Sequence, residues 1–293
     1  MSRLLALAFV ISTIISGTCV AELVPAPVNC SDNSEFSRPQ SNSAPAVSSR
    51  EDAAAENELL LAANKSRELA GSPPLRMEES LREAARAHAR LMVEKQQLEH
   101  QLLGEASLIE RVGQASPLKM DRVGENIAYA GCAPRANEVL MRSPLHRQNL
   151  LDNNFNVAGF AAIWSKGKLY VVQDFGHEVP SYSAQQSGLL VGRAIAQTRQ
   201  ESGLSELAQF TPPNLDEAAC SLAKEDRPNA HLLATAYDHR KIITYTESRP
   251  GILPTAALQM LRDPRVGHYA VGSCYARNAL YPTGMYWVAI LLY

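Results

Sequence analysis

Two segments in the first half of the chain repeat their hydrophobic residues every three to four positions, which is typical of amphipathic helices. The first predicted helix runs from about Glu56 to Gly71, where a glycine followed by two prolines ends the pattern. The second runs from about Glu78 to Gln97. Its apolar face includes Leu81, Ala84, Ala85, His88, Leu91 and Met92. Because His88 lies on this face, we predict a buried core histidine that is hydrogen-bonded to the backbone.

Farther along, apolar and polar residues alternate with the period of two that indicates β-strands. We predict strands at Val157 to Ile163 and Lys168 to Asp174, joined by a hairpin turn at residues 165–167. Residues 101–123 follow neither pattern and are predicted as loop and short helix, and Glu138 to Met141 as a helical turn. Helices around a short antiparallel sheet define the α+β class.

The pattern of the first half recurs in the second half. Arg67, Gly71 and Leu75 recur 132 residues later as Arg199, Gly203 and Leu207. Leu81, Glu83, Ala84 and Ala85 recur 134 residues later as Leu215, Glu217, Ala218 and Ala219. Val157, Phe160 and Ala161 resemble Val266, Tyr269 and Ala270. Internal similarity of this kind is typical of a duplicated unit; the alternative is an unrelated α+β domain.

The length of 293 residues is enough for about two domains. Residues 1–21 are predicted to be a secretory signal peptide, because Arg3 precedes an apolar stretch that ends in small residues. A lipoprotein anchor at Cys19 fits poorly, since Thr18 directly precedes it. Residues 22–54 and 178–188 are predicted linkers, the first being rich in Ser, Asn and Pro. They separate domains at 55–177 and 189–293, and no segment after the signal peptide is apolar enough to span a bilayer.

Four cysteines remain after the signal peptide, and an even number in an exported protein favours disulfides. Three pairings are open; we predict one bridge in each half, Cys30–Cys132 and Cys220–Cys274, with buried free thiols as the alternative. The net charge of −2 comes without a dense basic patch. Nucleic acid is therefore not an expected partner.

Candidate chemistry is concentrated between Gly124 and Phe155. Ser143 suits a helix N-cap better than a nucleophile, and Pro144 suits the first helical position. His146 then lies in the first turn, with Asn149 on roughly the same face. Glu125 lies about twenty residues upstream, and His100 follows the end of the second helix. Two imidazoles and a carboxylate that converge from separate elements suit a divalent metal or a proton-transfer pair.

From about Leu59 to Phe175 the chain resembles the bacterial form of the CAP/SCP family, which includes cysteine-rich secretory, antigen 5 and pathogenesis-related 1 proteins. The matching residues are Asn64, Arg67, Leu75, Ala84, His88, His100, Gly124-Glu125-Asn126-Ile127, Ser143-Pro144, His146-Arg147, Asn149-Leu150, Phe155, Val171 and Phe175-Gly176. The resemblance implies an α/β/α sandwich with a cleft that can hold a divalent, zinc-like ion. Carried over by residue, His100 and His146 match the imidazoles of that cleft and Glu125 its carboxylate.

The chain departs from the family pattern at several positions. Leu140 stands where the family usually has a tryptophan, and Ser143 stands where many animal members have a glutamate. Residues 189–293 contain neither Gly-Glu-Asn nor Ser-Pro-x-His. We therefore predict that this second half is a degenerate CAP-like unit.

The resemblance implies a secreted module that binds a lipid, a sterol or a small apolar molecule, or that contacts a component of the cell envelope. Its expected cleft residues are His100, Glu125, Asn126, His146 and Asn149. Of these, His100 and His146 are the expected metal ligands, and Glu125 is the candidate for a third. One alternative is a metal-dependent hydrolase or peptidase with Glu125 as base and His146 as partner. Another is a structural network without metal. Of these, binding without catalysis is the main expectation.

Overall fold

The computed structural model describes residues 30, 49–225, 229–234, 236–237 and 241–293. The predicted signal peptide and most of the first predicted linker lie outside these residues. The first half contains β1 (Arg50–Glu51), α1 (Ala53–Leu69), β2 (Arg76–Met77), α2 (Glu79–Lys95), α3 (Leu108–Ala115), β3 (Met120–Ala130), α4 (Ala133–Arg142), α5 (Pro144–Leu151), β4 (Val157–Ser165) and β5 (Lys168–Glu178). The second half contains α6 (Ala184–Glu201), β6 (Ala208–Gln209), α7 (Leu215–Leu222) with a 3₁₀ turn (Ala223–Glu225), α8 (His231–Ala234), β7 (Lys241–Glu247), α9 (Thr255–Leu261), β8 (His268–Ala276) and β9 (Met285–Leu292).

The first sheet has the strand order β1-β4-β5-β3, with antiparallel pairing throughout this path. The short β2 runs parallel to the other end of β4. Between β4 and β5, Lys166 and Gly167 have φ of 48° and 75°, which suits the two-residue hairpin turn expected from the sequence. Two residues of the stretch predicted as linker, Arg50 and Glu51, form β1.

Helices cover both faces of this sheet. α1, α4 and α5 pack on one face, around a core that includes Leu59, Ala136, Leu150, Phe160 and Phe175. α2 packs on the other face against Ile163 and Val172, and α3 lies beside it through Val112. The predicted α+β class and the α/β/α sandwich are therefore confirmed.

The second sheet has the strand order β6-β8-β9-β7. β6 pairs in parallel with β8, and the other pairs are antiparallel. α6 and α9 pack on one face, and α7 packs on the other. In order and pairing sense, the second sheet thus matches the first: β6, β8, β9 and β7 correspond to β2, β4, β5 and β3.

One buried arginine in each half makes an equivalent set of contacts. The Arg67 guanidinium donates to the main-chain carbonyls of Pro73, Leu150, Asp152 and Phe155. The Arg199 guanidinium donates to those of Ser205, Leu261, Asp263 and Val266. These contacts place Val266 opposite Phe155, whereas the sequence comparison placed it opposite Val157. The sequence comparison therefore aligned this strand two residues away from the structural equivalence. An offset of two residues keeps the apolar pattern of a strand unchanged, so the pattern alone does not reveal it.

The two predicted disulfides, Cys30–Cys132 and Cys220–Cys274, are both present, with Cα–Cα distances of 5.8 and 5.0 Å. Each bridge lies within one half of the chain. None of the helices in the described part of the chain is long and apolar enough to cross a membrane.

Candidate functional site

Strand β3 directs two consecutive polar side chains to opposite faces of the first sheet. Glu125 pairs with Asp174 of β5, and Asn126 pairs with Gln173. Successive residues of a strand point to opposite sides. Glu125 and Asp174 therefore face α2 and α3, whereas Asn126 and Gln173 face α5.

The Glu125 carboxylate is the centre of a buried charge cluster. Its Oε1 lies 2.8 Å from His100 Nδ1, and its Oε2 accepts a hydrogen bond from the Arg111 guanidinium of α3. The side chain is 3% exposed. Both carboxylate oxygens are thus engaged, and both partners lie on the α2–α3 side of the sheet.

Glu105 joins this cluster, although sequence analysis did not select it. Its Oε1 lies 2.7 Å from His88 Nδ1 and 3.1 Å from Arg111 Nη1. Its Oε2 accepts a hydrogen bond from the Leu102 main-chain N–H at 3.0 Å. His88 is buried as predicted, but its partner is this carboxylate and not the backbone. A histidine on an apolar helix face was itself the signal that a buried polar partner had to exist.

Asp174 is a second buried carboxyl group beside Glu125. It has no exposed surface, and its oxygens accept no hydrogen bond from the described residues. Burial, together with the nearby charge of Glu125, raises the pKa of Asp174 well above its ordinary value. The Asp174 carboxyl group therefore loses its proton at a higher pH than the carboxyl group of a surface aspartate does.

On the opposite face, an amide network holds α5 against the sheet. Asn126 Nδ2 donates to the His146 main-chain carbonyl at 3.0 Å and to Gln173 Oε1 at 3.2 Å. Asn149 Nδ2 donates to the Glu125 carbonyl at 3.1 Å and to Asn126 Oδ1 at 3.2 Å. Since Asn126 has no exposed surface, its contribution to the site is to fix the position of His146.

Ser143 and Leu140 shape the entry to α5. Ser143 occupies the N-cap position before Pro144, but its side chain makes no capping hydrogen bond. The expected side-chain cap is therefore absent, and the proline supplies the helix start. Leu140, at the place of the family's tryptophan, is fully buried.

The structure brings the imidazoles of His100 and His146 together at the surface, above the cluster. Their ring centroids are 6.3 Å apart, and the His100 side chain is 58% exposed. The hydrogen bond to Glu125 raises the pKa of His100. Burial, with the charge of His100 as a second cause, lowers the pKa of His146. The pKa of His100 is thus shifted upward and that of His146 downward, so His100 takes up a proton at the higher pH.

The donor set can be compared with the geometry that a divalent ion needs. Two imidazoles that bind one tetrahedral zinc ion at about 2.0–2.1 Å have ring centroids about 5 Å apart. The His100–His146 pair exceeds that separation by about 1 Å, a shift within reach of side-chain rotation. Within the described ranges, no group of three or more His, Cys, Asp or Glu side chains is arranged to hold an ion. Glu125 is already engaged by His100 and Arg111, so the two imidazoles are the donors of the predicted set that remain to be considered for an ion.

Comparison with known proteins agrees with this architecture. Residues 60–175 match the sequence profile of the cysteine-rich secretory protein family, CAP. The resemblance found in the sequence is confirmed over this range, and this part of the chain is a CAP domain. No curated protein sequence matches the chain.

Several solved structures are similar to the chain. An outer surface protein from Borrelia burgdorferi has 16% identity and a TM-score of 0.42, over 45% of this chain and 99% of its own. An extracellular SCP-domain protein from Bacillus anthracis has 21% identity and a TM-score of 0.37, over 43% of this chain. A cysteine-rich secretory protein from Staphylococcus aureus has 19% identity and a TM-score of 0.34, over 50%. The matched regions span 41% and 45% of the Bacillus and Staphylococcus proteins.

Proposed function

We propose that this protein is an exported, non-catalytic binding protein that captures its ligand at the His100–His146 cleft, with a divalent cation such as zinc held by the two imidazoles. The observation that carries this proposal is the state of Glu125. A carboxylate with both oxygens engaged and 3% of its side chain exposed is poorly suited to take a proton from a water molecule. This geometry disfavours the hydrolase alternative, which needs Glu125 as a base.

The same carboxylate suits a supporting role for a metal ligand. In metal sites, a histidine commonly donates one ring N–H to a carboxylate, which fixes the tautomer and directs the other nitrogen toward the ion. The contact between His100 Nδ1 and Glu125 has this form. It leaves His100 Nε2 as the nitrogen that would bind the cation, and Glu125 orients the ring.

Exposed apolar side chains lie within three residues of both imidazoles along the chain. Leu103 follows His100 in the same loop and is fully exposed, and Leu145 directly precedes His146 and is 75% exposed. Exposed apolar side chains this close along the chain to two imidazoles suit an amphiphilic ligand. We therefore propose a lipid, a sterol or an apolar component of the cell envelope as the ligand class.

Export and domain organisation belong to the same proposal. Two disulfides are typical of proteins in an oxidising compartment, which agrees with the predicted signal peptide. The matching contacts of Arg67 and Arg199 and the shared strand order support the proposal that residues 189–293 are a degenerate CAP-like half.

Zinc titration by calorimetry at pH 7.5 tests the cation site. We expect saturable binding to the wild-type protein, and at least tenfold weaker binding to His100→Ala and His146→Ala. His268→Ala, which removes an exposed histidine of β8, is the matched control and should bind zinc like the wild type. Absence of zinc from the wild-type protein, with a large loss of stability on Glu125→Ala, would instead favour the purely structural network.

A lipid panel tests the ligand class. Vesicles of phosphatidylcholine with and without cholesterol are to be incubated with wild-type protein and with a Leu103→Ser, Leu145→Ser variant. We expect the wild type to retain lipid and the variant to lose it. No capture by the wild type, together with turnover of a peptide or ester substrate that depends on His146, would contradict the proposal.

A further inference from the structure

Helix α3 lies between the candidate site and the second half of the chain. On the site side, Arg111 of this helix is 8% exposed and contacts Glu125 and Glu105. Its Nη1 also donates to the His100 main-chain carbonyl at 3.2 Å. The position of α3 therefore determines where the guanidinium lies that engages both carboxylates.

On its other side, the end of α3 is held by an arginine of the second half. Arg277, which follows β8, donates to the main-chain carbonyls of Gly113, Ser116 and Leu118 at 2.6, 2.8 and 3.0 Å. The last carbonyls of a helix have no partner within the helix, and a cation there is also favoured by the helix dipole. Arg277 thus supplies from another domain what the C-terminus of α3 lacks.

The packing at this contact leaves no free space. A Cβ atom on Gly113 would lie 2.5 Å from the Pro282 main-chain oxygen, so glycine is needed for α3 to approach the loop before β9. Gly113 is two residues from Arg111. The same turn of helix therefore contacts the second half on one side and the charge cluster on the other.

The start of β3 is attached to the second half as well. Lys119 Nζ lies 3.9 Å from the centre of the Tyr275 ring and donates to Tyr286 Oη at 3.0 Å. Asp121 Oδ2 accepts a hydrogen bond from Ser248 Oγ at 3.0 Å. Glu125 follows four residues later in this strand, so both elements that form the Arg111–Glu125 ion pair are fixed by the second half.

We infer that residues 189–293 act as a brace for the imidazole cleft, with Arg277 as a positioning residue that sets Arg111, and through it Glu125 and His100. The second half then contributes to binding by positioning residues of the first half and not by contacting the bound ion itself. This inference rests on the proposed function for its effect on zinc, but its structural part can be measured without a metal.

Hydrogen–deuterium exchange of the full-length protein tests the brace. With Arg277→Ala, we expect amides of residues 111–118 to exchange about tenfold faster, since about 1.4 kcal/mol of hydrogen bonding to these carbonyls is lost. The His100 ring signals in nitrogen NMR spectra should also shift, and the zinc Kd should weaken about threefold. Arg265→Ala removes an exposed arginine of the same half that pairs with Asp263, and it should change none of these readouts.

Lys119→Met gives a second, independent variant if Arg277→Ala does not fold. It keeps the length of the side chain but removes the ammonium, and we expect faster exchange at residues 119–125. Unchanged exchange and unchanged His100 signals in the folded variants would overturn the brace. A wild-type protein that binds no zinc would instead contradict the proposed function. Amide exchange and the His100 ring signals would still test the brace in that case.

Discussion

The two sheets of this molecule have the same strand order and pairing sense, yet they bury different chemistry on the same face. In the first sheet, the face toward α2 buries Glu125 and Asp174, with Arg111 and His88 against them. In the second, the face toward α7 buries Trp287, Ala289 and Leu291. An apolar face thus serves this architecture as well as a charged one, so the charge cluster is not required for the fold.

The two halves share a close approach of one helix to the sheet, α2 over β4 in the first half and α7 over β8 in the second. A Cβ atom on Gly159 of β4 would lie 2.0 Å from the Leu81 carbonyl carbon. A Cβ atom on Gly272 of β8 would lie 2.3 Å from the Leu215 carbonyl oxygen. Both helices therefore need a glycine beneath them. The halves share this close approach and differ in the side chains around it.

The largest expected effect concerns what the halves share. Arg67→Ala and Arg199→Ala each leave several carbonyls without a donor in a buried setting, so each should lower the free energy of unfolding by about 4 kcal/mol. Urea unfolding measures both. Arg142→Ala is the control: it removes an exposed arginine whose partner Glu138 keeps its pairing with Arg135, and it should change stability by less than about 0.5 kcal/mol. A negligible loss for Arg199→Ala alone would show that the halves do not depend on the same contacts.

The next effect concerns what differs between them. Glu125→Ala leaves Arg111 buried beside a single carboxylate, and it should cost about 3 kcal/mol. The matched control in the second half is Glu217→Ala, an exposed carboxylate of α7, which should cost almost nothing. Urea unfolding again provides the comparison. Equal stability of Glu125→Ala and wild type would mean that the cluster is not an ionic network.

A smaller effect of opposite sign is expected at Asp174. Its folded-state pKa is raised by burial and by Glu125, so its contribution to stability is fully present below its unfolded pKa and is lost as the pH rises toward the folded value. Asp174→Asn has no ionisable carboxyl group, so it removes the loss of stability that ionisation of Asp174 causes at higher pH. The variant should gain on the order of 1 kcal/mol over wild type at pH 7, and the gain should vanish near pH 4. A gain that is independent of pH would contradict a protonated Asp174.

The smallest effect is the pH dependence of His100. Because its pKa is raised in the folded state by Glu125, its stabilisation is fully present below the unfolded pKa and is lost as the pH rises through the folded value. His100→Ala should therefore cost more at pH 5.5 than at pH 8.5 without metal, by no more than about 0.5 kcal/mol at this exposed site. In a Glu125→Gln background the difference should disappear. A persistent difference there would assign the effect to another group.

Much of the first half could be predicted from local patterns. The three-to-four spacing located α1 and α2 within a few residues of their observed ends, and the alternation located β4 and β5. β3 was missed because Glu125 and Asn126 are both buried, on opposite faces. A strand with polar side chains on both sides shows no alternation.

The partners in the charge cluster could not be predicted in this way. Glu105 lies in a loop without periodicity, and its contact with His88 joins residues 17 positions apart. The contacts of Arg277 with the end of α3 span about 160 residues. Contacts of this kind depend on how whole elements pack, and a single sequence contains no local sign of them.

A nitrogen NMR spectrum of the imidazole rings, recorded at pH 7.5 before and after addition of zinc, tests the proposed cation site at its two ligands. We expect neutral His100 to carry its proton on Nδ1, toward Glu125, and zinc to shift the Nε2 signal of His100 together with the His146 ring signals. His268 should not respond. A His100 proton on Nε2, or zinc-dependent shifts that leave both cleft histidines unchanged, would contradict the proposed cation site.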